Sequence, residues 1–267
     1  MNRAFRSTLR KWLIHARLLW LARLIYMTPG TIIGWYLWHF RPHKQFVIIL
    51  SAMRSGSTLL KALLAEAPDI EQIPEAEFQI PGNRYYVYSQ LYQLSDQPIV
   101  VLKHPANYFD FRTYPRLPKG QFKLIRLARN PLDTILSLQQ MNQALGKEKT
   151  VEELIDYWCT TYENLVRVQH PQCFDLVYEE LVAEPVVLTE CLFRFIGSAQ
   201  KQGVDRYSKP QTYEWTWKKD DGGEVIRSLK VQKVQKDYRP HRQLAQQLRH
   251  HPRIQPLMDI YGLKWPE

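Results

Sequence analysis

An α/β fold, three layers deep around a central parallel sheet, is what this sequence predicts, and three observations carry the expectation. Short runs rich in β-branched and other apolar residues at 46–50, 98–103, 122–129 and 174–178 alternate with segments of helical period, the order that builds strand-helix-strand units. The first of these runs is apolar on consecutive residues, as a strand covered on both faces is. A length of 267 residues with 45% apolar content suffices for one core of this class.

The elements follow in order. The first strand, 46–50, ends in a small-residue loop, Ser51-Ala52-Met53-Arg54-Ser55-Gly56-Ser57-Thr58, which opens into a leucine-rich helix stopped by Pro68. Backbone N–H groups at a helix N-terminus, the positive end of the helix dipole and a fixed cation together make an anion site. The loop is P-loop-like, but the lysine that should follow the second glycine is missing: Gly56 is followed by Ser57-Thr58, and the cation, Arg54, precedes it. That difference points away from nucleotide hydrolysis and towards another phosphate-bearing donor. The second strand ends at Lys103-His104 and the third at Arg129. Asn130-Pro131 is an N-cap and first-turn pair for a helix reaching about residue 145. Thr150-Val151-Glu152-Glu153 is a capping box before a long amphipathic helix. The fourth strand follows, then a helix opened by Pro185 and closed by Gly197. Residues 198–238 are polar and Lys/Gln-rich, the composition of a long loop or lid, and two helices complete the chain, the last ending before Gly262. In sheets of this kind ligands bind at the carboxyl ends of the strands.

A formal charge of +10 suits an anionic ligand, an anionic polymer or a membrane surface. No lysine-arginine run is dense enough to single out nucleic acid. Cys159, Cys173 and Cys191 lack metal-ligand spacing and cannot all pair, so free thiols buried in a protein of a reducing compartment are expected, with a cytoplasmic location. The first 45 residues differ in character: Arg3, Arg6, Arg10, Lys11, Arg17 and Arg23 are interleaved with Trp12, Leu18, Leu19, Trp20, Leu21, Leu24 and Ile25, and an apolar Trp-rich stretch follows Pro29-Gly30. A membrane span needs about 20 uninterrupted apolar residues, and Arg23 and the Pro-Gly pair interrupt this one. No small-residue cleavage site follows, so a secretory signal is not expected. Two readings stay open, a basic Trp-bearing helix lying on an anionic membrane face and a helix packed on the domain. The expected division is an N-terminal segment, 1–45, and a single domain, 46–267.

The Arg54 loop and the strand end Arg129-Asn130-Pro131-Leu132-Asp133-Thr134-Ile135-Leu136-Ser137 together resemble the sulfotransferases that use 3′-phosphoadenosine 5′-phosphosulfate (PAPS), and among them the carbohydrate and tyrosyl branches. The resemblance spans residues 46–197. It implies that Arg54, Ser55, Gly56, Ser57 and Thr58 hold the 5′-phosphosulfate, and that Arg129 and Ser137, eight positions apart, hold the 3′-phosphate. An arginine can grip a phosphate with two parallel bonds, and a serine two helical turns on can add a hydroxyl. The segment Asp175-Leu176-Val177-Tyr178-Glu179-Glu180-Leu181 resembles the family's strand near the adenine, which implies that Tyr178 borders the purine. Two stretches, Lys201-Gln202-Gly203 and Lys218-Lys219, are candidates for the family's C-terminal phosphate loop.

Sulfuryl transfer needs an acceptor oxygen that loses its proton as it attacks, and cations where charge builds on the leaving phosphate. Arg54 and Lys103 are the expected cations; Lys103-His104-Pro105 resembles a Lys-x-Pro segment whose lysine reaches the active site. For the base the resemblance offers Glu75, twenty-one positions after Arg54, which is the register of the tyrosyl branch. His104 is its rival by analogy with the cytosolic branch, but it is displaced by one residue, which in a strand reverses the face. Glu77 stands third. No metal is implied, because the sulfuryl group carries less negative charge than a phosphoryl group. The expected acceptor is a hydroxyl, of a carbohydrate or glycolipid. The tyrosines of Arg84-Tyr85-Tyr86-Val87-Tyr88-Ser89-Gln90-Leu91-Tyr92 are either stacking platforms for sugar rings or packing residues. Two rival readings remain, a P-loop nucleotide kinase or NTPase and a non-catalytic anion-binding protein.

Overall fold

In the computed structural model, residues 19–72, 84–93, 95–105, 122–210, 225–233 and 236–266 are described. They comprise β1 (Gln45–Ser51), β2 (Ile70–Gln72), β3 (Ile99–Pro105), β4 (Phe122–Ala128) and β5 (Cys173–Val177), with helices α1 (Leu19–Phe40), α2 (Ser57–Leu64), α3 (Arg84–Tyr92), α4 (Pro131–Ala144), α5 (Val151–Val166), α6 (Tyr178–Ala183), α7 (Pro185–Ile196), α8 (Arg242–Arg249) and α9 (Ile254–Tyr261). The chain divides into two compact units, residues 1–43 with 80–96, and residues 44–79 with 97–267.

The larger unit is built on a five-stranded sheet of order β2-β3-β1-β4-β5, with every described pairing parallel. β1 lies at the centre, Ile48 opposite Leu102 of β3 on one side and Leu124 of β4 on the other. Its residues from Phe46 to Leu50 are wholly buried, which explains the uninterrupted apolar run. Val47 and Ile49 pack with Leu59, Leu60, Leu63 and Leu64 of α2 and with Leu192, Phe193 and Ile196 of α7 in one core. Phe46, Ile48 and Leu50 alternate to the opposite face, where α5 covers the sheet and Phe46 meets Phe122 with ring centroids 5.2 Å apart. The three-layer expectation is thus met. After β1 the chain passes through α2 to β2 and then β3 on one side of it, and β4 and β5 lie on the other, so the carboxyl ends of β1 and β4 flank a point where the winding direction reverses, the customary ligand crevice of such sheets.

Most helix ends obey the residues that announced them. Asn130 caps α4 by accepting the Asp133 N–H at 2.8 Å, Thr150 and Glu153 form the complete capping box of α5, and Gly197 and Gly262 end α7 and α9 in the left-handed region. Arg253, just before α9, donates to Asp156 at 2.6 Å and to Glu163 at 2.7 Å, fastening the C-terminal helices to α5. The three cysteines are free; Cys159 is buried and Cys173 and Cys191 are half-buried.

In the smaller unit α1 runs unbroken through Pro29, so Pro29-Gly30 interrupts the apolar run without ending the helix. The reason is packing: a Cβ on Gly34 would stand 1.7 Å from the Tyr85 carbonyl oxygen, and one on Gly30 2.6 Å from the Tyr86 ring. The bare glycine face lets α3 approach closely, and this contact offsets the one hydrogen bond a proline forfeits. Trp38 meets Tyr88 edge-on at 5.0 Å. Tyr85 and Tyr88 are therefore packing residues, and residues 80–96 join the N-terminal segment rather than residues 46–267. Among the described residues no helix is long and apolar enough to cross a membrane.

Candidate active site

The loop between β1 and α2 turns through two left-handed residues, Arg54 at φ 66° and Gly56 at φ 88°. Glycine adopts that conformation freely, whereas arginine does so at a cost of about 1–2 kcal/mol, a strain of the kind that accumulates at functional sites. Gly56 is the N-cap of α2 and supplies no side-chain cap, so the first turn receives no cap bond from it, and a helix N-terminus of this kind is electrostatically suited to an anion. Lys103 extends from the carboxyl end of β3, and its buried ammonium donates to Thr58 Oγ1 at 2.9 Å, bringing a second positive charge to the same helix terminus.

The end of β4 closes against this loop. Arg129 Nη1 donates to the Arg54 carbonyl oxygen at 2.7 Å, and Arg54 Nε donates to Ser137 Oγ at 2.8 Å. The two stretches singled out separately in the sequence are therefore one surface, each arginine reaching into the other's stretch. Arg129 Nε is buried and has no hydrogen-bond partner among the described residues. Its guanidinium lies 4.3 Å over the Tyr178 ring. The same ring presses on Gly56, where a Cβ would come within 2.3 Å of it. Tyr178 thus wedges between the loop and Arg129, and burial pushes its phenol above the usual range.

Ser55 faces inward instead, its hydroxyl 3.1 Å from Tyr162 Oη, so only its backbone is offered to the loop surface. His104 is the penultimate residue of β3, opposite Leu50, and its side chain lies outside the described residues. Glu75 and Glu77 also lie outside them; β2 stops at Gln72 opposite Val101, two residues short of the level of Lys103. Lys201 donates to the Ser198 carbonyl oxygen at 3.0 Å, close to Asp69 at the amino edge of the sheet, and Gly203 packs on Val186, so that candidate phosphate loop is not brought to Arg129. Lys218 and Lys219 lie outside the described residues.

Three supports were not read from the sequence. Tyr157 Oη accepts the Met53 N–H and Tyr162 Oη the Arg129 N–H, both at 2.9 Å, so α5 braces both strand ends. Burial pushes both phenols upward. Glu179 accepts from the backbone and side-chain N–H groups of Asn130 at 3.0 and 2.6 Å, and burial raises its carboxyl against those bonds and the Arg129 charge. Asp133 receives Lys236 Nζ at 2.6 Å and Tyr238 Oη at 3.1 Å. Burial pushes the Asp133 carboxyl up, but Lys236, Asn130 and Arg129 outweigh it and hold it below the usual range. Burial and the Arg129 charge hold Lys236 below the ordinary lysine range. The α5 tyrosines have helical spacing and read as core; Lys236 sits in a weakly periodic stretch, so only the fold brings it to α4.

No group of side chains able to hold a metal ion is found among the described residues. The structure is similar to the sulfotransferase domain of the Synechococcus PCC 7002 olefin synthase, with 19% identity, a TM-score of 0.54 and coverage of 85% of this chain and 98% of that one. It is similar also to the sulfotransferase domain from the curacin biosynthetic pathway, with 18% identity, a TM-score of 0.52 and coverage of 84% and 99%. No curated protein sequence matches. A sequence model described as the sulfotransferase domain matches residues 44–221, two thirds of the chain and the whole stretch that carries β1 to β5, the Arg54 loop and Arg129. The chain therefore belongs to the family of PAPS-dependent sulfotransferases.

Proposed function

We propose that this enzyme moves the sulfuryl group of PAPS to a hydroxyl of a carbohydrate or glycolipid by direct in-line transfer. The observation that carries the reading is the mutual engagement of the two arginine-bearing strand ends, Arg129 on the Arg54 carbonyl and Arg54 on Ser137. A donor with phosphate groups on both its 3′ and 5′ positions needs two anion sites side by side, and a buried Arg129 Nε with no hydrogen-bond partner among the described residues, beside a helix terminus without a side-chain cap, fits that demand. In this reading the N–H groups of Gly56, Ser57 and Thr58 hold the 5′-phosphosulfate. Arg129 and Ser137 hold the 3′-phosphate, and the Tyr178 ring borders the purine.

The acceptor oxygen attacks sulfur as its proton passes to a base, for which Glu75 is the first candidate, His104 the second and Glu77 the third. The bond from sulfur to the bridging phosphate oxygen breaks, and 3′,5′-ADP leaves with the electron pair. Lys103 and Arg54 offset the negative charge that builds on that phosphate, as fixed cations in a water-poor site do best. Because the sulfuryl group carries little charge, the two cations suffice without a bridging magnesium ion.

Calorimetric titration with 3′,5′-ADP, set against ATP with magnesium, tests the donor. Binding of 3′,5′-ADP without metal is expected; binding of ATP with magnesium alone would replace the reading with that of a kinase. Glu75→Gln is expected to abolish turnover and spare 3′,5′-ADP binding. An active Glu75→Gln beside a dead His104→Ala would move the base to His104.

A further inference from the structure

We propose that the outer face of α1 docks the protein on an anionic lipid surface, a property separate from sulfuryl transfer. One side of the helix, Gly30, Gly34 and Trp38, is taken by α3. The other presents Ile32, Ile33, Trp35, Tyr36 and Phe40, all exposed, Ile32 and Phe40 by 61% and 63%. Residues 32, 36 and 40 follow at intervals of four and lie one above another on the helix. The aromatic members brace one another: Tyr36 stacks on Phe40 at 5.5 Å, and Trp35 meets His39 at 5.1 Å and Phe40 at 5.7 Å. Large apolar side chains held together in water signal an interaction surface rather than scattered exposure.

Charge selects the occupant. The first 43 residues carry seven arginines and lysines, at 3, 6, 10, 11, 17, 23 and 41, and no acidic residue precedes Glu66. Seven of the ten net positive charges of the chain therefore belong to this segment. A protein partner would require an acidic surface to match it, whereas a bilayer containing anionic headgroups offers negative charge beside an apolar layer, and tryptophan and tyrosine favour that boundary. Each basic side chain near such a surface adds to the attraction, and salt screens it.

The test is co-sedimentation of the full chain with phosphatidylcholine vesicles, with and without phosphatidylserine, over a range of salt. Binding at least about tenfold tighter to the anionic vesicles and weakened by salt is expected, and the triple variant Ile32→Ser/Tyr36→Ser/Phe40→Ser should lose about tenfold or more of it. The single variant Phe40→Ser, at the end of the helix, carries the same prediction in smaller measure should the triple variant fail to fold. Absence of binding by the native chain would overturn the proposal, as would variants that bind as well as the native chain does. So would sedimentation velocity showing that the substitutions dissolve a dimer, which would make a second copy the occupant. Titration with 3′,5′-ADP scores the donor site separately, so neither failure can be mistaken for the other.

Discussion

Gly56→Ala is the sharpest probe of the site, because the structure separates its cost into two parts. The first is conformational: at φ 88° an L-residue is strained, by about 1–2 kcal/mol. The second is steric. The new Cβ would meet two Tyr178 ring carbons at 2.3 and 2.4 Å, more than 1 Å inside the roughly 3.5 Å at which carbon atoms rest. The ring must retreat, and it can do so only by leaving the Arg129 guanidinium 4.3 Å away, forfeiting a cation–π contact of about 0.5–2 kcal/mol. The single substitution should therefore cost about 1.5–4 kcal/mol, whereas in a Tyr178→Ala background only the conformational part, about 1–2 kcal/mol, should remain. Urea denaturation of the four proteins gives the coupling energy, expected at about 0.5–2 kcal/mol. A coupling below about 0.5 kcal/mol would show that the ring does not press on the loop, and the account of Tyr178 as a wedge would be wrong.

Other perturbations address neighbouring bonds. Tyr162→Phe strands the Arg129 N–H and the Ser55 hydroxyl, and should cost about 1–3 kcal/mol in denaturant midpoint; a loss under about 0.5 kcal/mol would mean the brace is idle. Arg129→Ala should weaken 3′,5′-ADP binding by about 2–3 kcal/mol in calorimetry through a lost charge-assisted contact, and unchanged affinity would remove Arg129 from the donor site. The Asp133 carboxyl is held below its ordinary range in the folded state, so its charge contributes stability above its unfolded pKa, and that contribution is lost as pH falls through the folded value. Thermal melts should accordingly show wild type losing more stability than Asp133→Asn between neutral pH and pH about 3; parallel profiles would contradict the sign. A drop in the slope of stability with acidification in Lys236→Gln would identify the same ion pair from its other end.

Which features were legible beforehand follows from the range of the forces involved. The strand at 46–50, the Asn130 cap, the Thr150–Glu153 box and the glycine stops at 197 and 262 depend on residues within a turn or two, and each appears where its local chemistry demanded. β2 has three residues and α6 has six, too short for any period to emerge, and they exist because β3 and the α7 contact hold them. α1 crosses Pro29 because α3 supplies packing that no inspection of the helix itself reveals.

The same division runs through the site. Composition and strand-helix order determined an α/β protein, the small-residue loop after the first strand raised the expectation of an anion site around Arg54, and the resemblance to the sulfotransferases implied a second such stretch at Arg129 and Ser137. These are local matters: the dipole and free N–H groups of a helix start, the reach of one arginine, the spacing of a serine along the next helix. Tertiary structure alone decided that the two stretches share a surface, that Ser55 turns inward to Tyr162, that Tyr178 fills the gap over Gly56, and that Lys236 and Tyr238 reach Asp133 across more than a hundred residues. Those contacts join residues whose proximity is set by the pairing of β1 with β4 and by α5 packing on the sheet, and close packing of distant segments is a property that no local pattern of residues encodes.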